Sequence, residues 1–151
     1  MDEHGAIELA AATNSLRELI LAAEHFGLAA ANALALRVSD SQAVSYLYAR
    51  GAMGQTALGE LLGLNTGTMT VLVDRLERSG IAKRIPHPTD RRRLIVQLTE
   101  PGRASLDRTS SWLSTAFEGI PPSQLGAVST ALMSIAADLR DRAVPMSISA
   151  T

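Results

Sequence analysis

Three consecutive arginines, Arg91, Arg92 and Arg93, stand out in this chain. They follow Asp90 and precede the segment Leu94–Leu98, whose alternating residues are typical of a short strand. A guanidinium group presents a planar fork of N–H donors that matches the oxygens of a phosphate. Three such groups in one loop are suited to hold a polyanion such as duplex DNA, so the chemistry they predict is binding rather than catalysis.

The charge of the chain is unevenly distributed. Its formal net charge is −1, which by itself argues against a nucleic-acid binder. The segment Arg75–Arg93 nevertheless contains seven basic and two acidic residues, a local charge of +5, while the remainder has seven basic and thirteen acidic residues, a charge of −6. Because charges are screened over roughly 8–10 Å at physiological salt, a polyanion responds to the local sign. An ordinary solvated face would show the same charges, and charge alone does not decide between the two.

A helix-turn-helix pattern lies just upstream of this basic segment. Thr56–Leu62 is predicted to form a short helix and Thr66–Ser79 a longer one. Between them, Gly63 suits the positive φ of a helix end, and Asn65 suits the N-cap of the next helix. This order of elements is typical of DNA-binding modules.

The second helix of this pattern is amphipathic. Its apolar stripe, predicted to face the core, consists of Met69, Leu72, Val73 and Leu76. Short hydroxyl side chains on the other face suit contact with base edges or phosphates. The residues predicted to contact DNA here are Thr66, Thr68, Thr70 and Arg75, with Asp74 also outward and Gly67 allowing close approach. A generic surface helix of an all-α protein would share this pattern, and that interpretation stays open.

Two short strands, Ala82–Ile85 and Leu94–Leu98, are predicted to form a hairpin beside that helix. Such a hairpin is the wing of a winged helix. An arginine at its tip suits a narrow minor groove, where negative potential is concentrated. We expect Arg92 to enter the groove, with support from Arg91 and Arg93, and Asp90 to hold the shape of the loop. A solvated charge cluster is the plainer alternative.

Helices are predicted to flank this segment on both sides. Residues 6–36 favour one long helix or two in series, and Ser39–Arg50 a second, capped by Ser39 or Ser41. Thr99 is the expected N-cap of a helix that runs to about Phe117. In the last predicted helix, apolar residues alternate steps of three and four: Leu125, Val128, Leu132, Ile135 and Leu139. That spacing is typical of helix-on-helix packing, either within one chain or between two copies.

These residues also match a known family. In the helix-turn-helix the matching positions are Leu58, Glu60, Leu61, Leu64, Thr68, Thr70, Leu72, Val73, Asp74, Arg75, Leu76, Glu77, Gly80 and Arg84. In the wing they are Asp90, Arg92, Val96, Leu98 and Thr99, followed by Gly102. On these positions the chain resembles the MarR family of bacterial winged-helix transcription regulators, most strongly over Thr56–Gly102.

The resemblance implies a sequence-specific, double-stranded DNA-binding regulator, and most simply a repressor. Such proteins are homodimers whose terminal helices intertwine, and each subunit presents one winged helix to half of a pseudo-palindromic operator. Many release DNA when a small aromatic or phenolic effector binds between the dimer region and the DNA-binding lobe. The partners implied here are therefore duplex DNA, a second copy of the chain and such an effector.

We accordingly predict a fold that is mainly α with a small two- or three-stranded β wing. It is a winged helix-turn-helix domain with terminal dimerisation helices. Residues 1–151 are expected to form one domain, with dimerisation helices at about 6–36 and 100–144 and a DNA-binding lobe at about 39–99. A winged helix that binds protein instead of DNA is the alternative function, although such a module has no need of an exposed basic wing.

One position departs from the family pattern. Members often carry a basic residue just after the threonine of the recognition helix, and this chain has Val71 there. A valine cannot bond to a guanine edge or a phosphate. If exposed, it is suited to a thymine methyl group, and if buried it belongs to the core. An operator sequence therefore cannot be borrowed from a relative.

Other function classes find little support. The chain has no cysteine, and its three histidines, His4, His25 and His87, lack metal-ligand spacing. No nucleophile motif or glycine-rich phosphate loop is present, so we predict neither an enzyme nor a cofactor. A small-molecule carrier would need a convergent polar cluster, which the sequence does not show. No signal peptide or membrane-spanning run is apparent, and a cytoplasmic location is expected.

Overall fold

The computed structural model describes residues 2–148 of the 151-residue chain, with side chains described for residues 2–142. The chain forms two compact units, and the boundary lies between Thr109 and Ser110. The first unit contains every element of the predicted helix-turn-helix and wing, and the second contains the last helix.

Helices dominate the fold. In chain order the elements are α1 (Glu3–Ala33), α2 (Val38–Arg50), β1 (Met53–Gly54), α3 (Gln55–Leu62), α4 (Thr66–Arg78), β2 (Ala82–Pro86), β3 (Leu94–Leu98), α5 (Glu100–Thr115), a 3-10 turn at Pro122–Gln124 and α6 (Leu125–Ile148). The predicted class, mainly α with a small β wing, is confirmed.

The turn between α3 and α4 follows the predicted chemistry. Gly63 ends α3 with a φ of +65°, and the Asn65 carboxamide oxygen accepts the Thr68 backbone N–H at 2.9 Å. A Cβ on Gly59 would lie 2.8 Å from Cγ of Met69, so this glycine lets the two helices pack closely. Local residue types thus determine the angle at which α4 leaves the turn.

The core of the first unit is built around one side of α4. The predicted inward stripe, Met69, Leu72, Val73 and Leu76, is buried, each side chain being at most 1 % exposed. It packs in one cluster with residues of α2, α3 and β3, including Val44, Leu47, Leu58 and Val96. Burial of this stripe holds α4 in place and turns its opposite side to solvent.

The sheet has three antiparallel strands in the order β1-β3-β2. Arg84 pairs with Val96 across β2 and β3, and Met53 pairs with the same Val96 from the other side. The two-residue strand β1 lies in the short segment between α2 and α3, where the sequence predicts no strand. Since two residues are too short to show alternation, their pairing with β3 has no local signature.

Of the two alternatives for the first helical segment, one long helix is correct: Glu3–Ala33 is a single helix that continues through Gly27, with bounds about three residues earlier than predicted. The predicted caps of α2 are wrong: α2 begins at Val38, Arg37 occupies the N-cap, and no side chain bonds to the free N–H groups there. Within the described residues, no single helix is long and apolar enough for a membrane span, although α1 and α2 taken together as a bent pair satisfy the length and composition criteria.

A polar joint connects the end of β3 to the start of α5. The Thr99 hydroxyl donates to the carbonyl oxygen of Gly80 at 2.6 Å and accepts the backbone N–H of Gly102 at 3.1 Å, so the predicted cap is confirmed. A Cβ on Gly102 would lie only 2.1 Å from the Ile81 carbonyl oxygen. Only glycine therefore fits where the first turn of α5 passes the backbone of Ile81, just before β2.

Replacing Gly102 with alanine is expected to lower the free energy of unfolding by about 2–3 kcal/mol, because backbone must move to admit the new methyl group. Chemical denaturation followed by circular dichroism measures this change. Gly67→Ala is the matched control, since a Cβ there would meet only the Asn65 side chain at an ordinary 3.5 Å. Equal stability of the two variants would contradict the close approach at Gly102.

Candidate nucleic-acid interface

The solvent side of α4 is narrow and largely uncharged. At about 100° per residue, Gly67, Val71 and Arg78 lie opposite the buried stripe. The sequence leaves open whether Val71 is exposed or belongs to the core. Its side chain is 53 % exposed, so it does not belong to the core. The exposed positions in the first two turns, Thr66, Gly67, Thr68, Thr70 and Val71, carry no formal charge. This surface is smooth enough for close approach to a groove floor.

The three predicted threonines lie on the exposed part of α4 but differ in their contacts. Thr70 donates its hydroxyl proton to the Thr66 carbonyl oxygen at 3.0 Å and accepts from the Gln55 side-chain amide at 2.8 Å. Its hydroxyl is thus engaged within the helix-turn-helix. Thr66 and Thr68 stand in the first turn, beside the N-terminal end of the helix, with exposed side chains.

Arg75 is oriented away from the outward face on which the sequence pattern places it. Its Nε and Nη2 atoms donate to the two carboxylate oxygens of Asp40 at 2.9 and 2.5 Å. Asp40 is buried in α2, only 3 % exposed. The hydrogen bond with this carboxylate raises the pKa of Arg75 above its ordinary value, against the opposing effect of burial. A bidentate pair of this kind fixes α4 against α2.

Arg84 joins the wing to α4. Its Nη2 atom lies 2.8 Å from the Asp74 carboxylate, and its Nη1 atom pairs with Glu77. The Glu77 carboxylate also accepts the Arg84 backbone N–H at 2.7 Å. The same guanidinium reaches the Gln55 side-chain oxygen at 3.4 Å. One side chain of β2 therefore contacts α4 and the start of α3 together.

The tip of the wing is closed by backbone hydrogen bonds. The Asp90 carboxylate accepts the backbone N–H of Arg92 at 3.1 Å, and the Asp90 carbonyl oxygen accepts that of Arg93 at 3.0 Å. Asp90 thus shapes the loop through main-chain groups and not through a guanidinium. Arg91, Arg92 and Arg93 are all exposed, and among the described side chains none forms an ion pair with them.

Sequence patterns assign no individual role to three residues of this region, of which Asp40 and Gln55 position other side chains. Asp40 and Gln55 act on residues 35 and 15 positions away, so no local pattern reveals them. Arg78 is different, because it follows Val71 by seven positions and Gly67 by eleven, which is helical spacing on one face. That spacing was available in the sequence and marks Arg78 as an exposed cation beside the predicted contacts.

Comparison with known proteins identifies a family model and several relatives that the chain resembles. Residues 41–94 match the family model described as the MarR family. A curated relative, the uncharacterised HTH-type transcriptional regulator YcgE of Bacillus subtilis, is 44 % identical over 71 residues, which are 47 % of this chain and 46 % of the relative. The chain therefore spans about half the length of the curated relatives it matches.

Solved structures resemble the fold over most of the chain. A MarR family protein from Bacillus stearothermophilus is similar with a TM-score of 0.66 and 20 % identity, over 92 % of this chain and 98 % of that one. NadR in complex with 4-hydroxyphenylacetate is similar with a TM-score of 0.65 and 19 % sequence identity, over 82 % of this chain and 89 % of that one. Overoxidised AbfR bound to DNA is similar with a TM-score of 0.52 and 21 % sequence identity, over 92 % of this chain and 99 % of that one.

Removing the Asp40 carboxylate is expected to destabilise the fold. Asp40→Ala leaves the half-buried Arg75 without its partner, which lowers the free energy of unfolding by about 1–3 kcal/mol after allowance for the partial exposure of the arginine. Urea denaturation checks this. Asp138→Ala is the control, since Asp138 forms an exposed pair with Arg142 and its loss leaves stability unchanged. An unchanged midpoint for Asp40→Ala would show that the buried pair does not hold α4.

Proposed function

Because residues 41–94 match the MarR family model, we propose that the chain is a member of that family and a transcription regulator that binds double-stranded DNA in a sequence-specific manner, through α4 and the wing. One observation carries this proposal. Three exposed arginines without ion-pair partners among the described residues lie on a hairpin that Arg84 attaches to α4. Free guanidinium groups beside a smooth helical face are complementary to a phosphate backbone and an adjacent groove.

The contacts divide between two grooves. Arg92 enters the minor groove from the wing tip, and Arg91 and Arg93 support it at phosphates. Thr66, Thr68 and the exposed part of Thr70 face the major groove or its phosphates. We assign Arg75 to holding α4 against α2 rather than to DNA, since its Nε and Nη2 atoms form a bidentate pair with the buried Asp40 carboxylate. Asp90 maintains the wing turn that presents the arginines.

A second copy of the chain completes the proposed regulator. Apolar side chains along α6 are exposed within a single chain, including Leu125, Met133, Ile135 and Leu139 at 38 to 64 %. On α1 the exposed residues include Ile7, Leu9, Leu19 and Leu28. Such surfaces favour coverage by a partner, and a two-fold dimer would present two α4 helices to major grooves roughly 34 Å apart.

Control by a small molecule is part of the proposal. NadR was solved with 4-hydroxyphenylacetate and AbfR with DNA, and both resemble this chain in fold. We propose that this chain represses transcription from a pseudo-palindromic operator in the cytoplasm and that a small aromatic or phenolic effector releases it. Release follows whenever the effector binds the DNA-free state more tightly than the DNA-bound one.

Arg92→Ala is expected to weaken operator binding by about tenfold or more, because a desolvated guanidinium is lost from the groove. The probe is a duplex selected by the full chain from a random-sequence pool, and the measurement is fluorescence anisotropy. Thermal stability stays unchanged, since Arg92 is exposed. Arg17→Ala, an exposed arginine of α1 outside the basic segment, is the control and retains full affinity. Undiminished binding by Arg92→Ala would reject the role of the wing.

Affinity is also expected to fall steeply with salt. Each neutralised phosphate contributes about 0.9 to the slope of log K against log salt concentration. The Arg91→Ala dimer, with two phosphate-contacting arginines removed, should therefore show a slope shallower by roughly 2 than that of the unaltered protein. A salt-independent affinity would contradict the electrostatic basis of binding and would favour a protein-binding winged helix.

A further inference from the structure

Val71 has an unusual position for an apolar side chain. Among the residues of α4, all of which the structure describes, it alone exposes a large apolar side chain, and 53 % of it is accessible. It lies close to the centre of the solvent side, one turn after Gly67 and about one turn before Asp74. The middle of the face proposed to meet the major groove is therefore a branched hydrocarbon.

Neither packing nor helix formation accounts for this valine. The buried stripe occupies the opposite side of α4, so Val71 contributes nothing to that core. A β-branched side chain loses rotamer freedom in a helix and is a poorer helix former than alanine or the long polar residues common at exposed positions. What the residue offers is an apolar surface presented toward solvent.

The neighbours of Val71 keep this apolar surface accessible. Gly67 has no side chain. A Cβ added at this position would contact only the Asn65 side chain, at 3.5 Å, so packing within the protein does not require a glycine there. The negative charge of Asp74 is paired with Arg84 at 2.8 Å. A nucleobase can thus approach Val71 closely without meeting an unpaired carboxylate.

Building on the proposed function, we propose that Val71 selects thymine in the operator by contact with its C5-methyl group in the major groove. Valine has no donor or acceptor, so it cannot read the hydrogen-bonding edges of guanine, adenine or cytosine. The thymine methyl is the one apolar group that a base pair presents in that groove. Two apolar surfaces gain free energy by excluding water from between them.

The test removes the methyl from the DNA and the side chain from the protein. A duplex selected by the full chain from a random-sequence pool is synthesised with each thymine replaced in turn by deoxyuridine, which keeps the pairing edge and lacks the methyl. We expect one position in each half-site at which binding weakens about fourfold, the effect of burying one methylene-sized group. Equal affinity at every position would overturn the proposal.

Protein variants then assign the effect to Val71. Val71→Ala should bind the thymine and deoxyuridine duplexes equally at that position, because the contact is already lost. Val38→Ala, which truncates a valine of similar exposure at the start of α2, should retain the fourfold ratio. If Val71→Ala keeps the ratio, another residue makes the contact and the proposal is wrong.

Loss of the Val71 contact and loss of the regulator function give different experimental results. If a duplex is selected and Arg92→Ala weakens its binding, but no thymine matters, the regulator function stands and the role of Val71 is rejected. If the full chain selects no duplex from the pool, both proposals fall. Because Val71 is exposed and alanine is the better helix former, the alanine variant is expected to melt at a temperature no lower than that of the unaltered chain, which circular dichroism verifies.

Discussion

The packing of α4 against the core is the constraint on which the rest of the first unit depends. Leu72, Val73 and Leu76 are essentially inaccessible, and a helix with 3.6 residues per turn must then present Gly67 and Val71 to solvent. The orientation of the outer surface is thus a consequence of hydrophobic burial on the inner one. Every polar contact around α4 refines a position that this packing has already selected.

The arginines of the basic segment divide into two groups. Arg75 and Arg84 are bound by carboxylates of Asp40, Asp74 and Glu77, and they orient α4 relative to α2 and the wing. The arginines of the wing tip have no such partners among the described residues, and their loop is shaped by backbone bonds instead. The arginines next to α4 therefore form structural ion pairs, whereas those at the hairpin tip have no ion-pair partner among the described residues.

Local patterns in the sequence predict a large part of this architecture. Gly63, Asn65 and Thr99 identify the turn and two helix starts, because each acts within a few residues of its own position. The bond between Asp40 and Arg75 spans 35 residues and depends on how two helices pack, so no local pattern contains it. The DNA contacts of the threonines and the wing arginines stay predictions.

The bond network of Arg84 has a consequence for the nucleic acid itself. Since Arg84 joins the hairpin to α4, its bonds restrict the distance between the points that the two elements reach. In the proposed complex, a double helix whose neighbouring grooves do not match that distance must twist or bend to fit. The elastic cost of doing so depends on base-step stiffness, so nucleotides that no side chain touches still influence which sites are occupied.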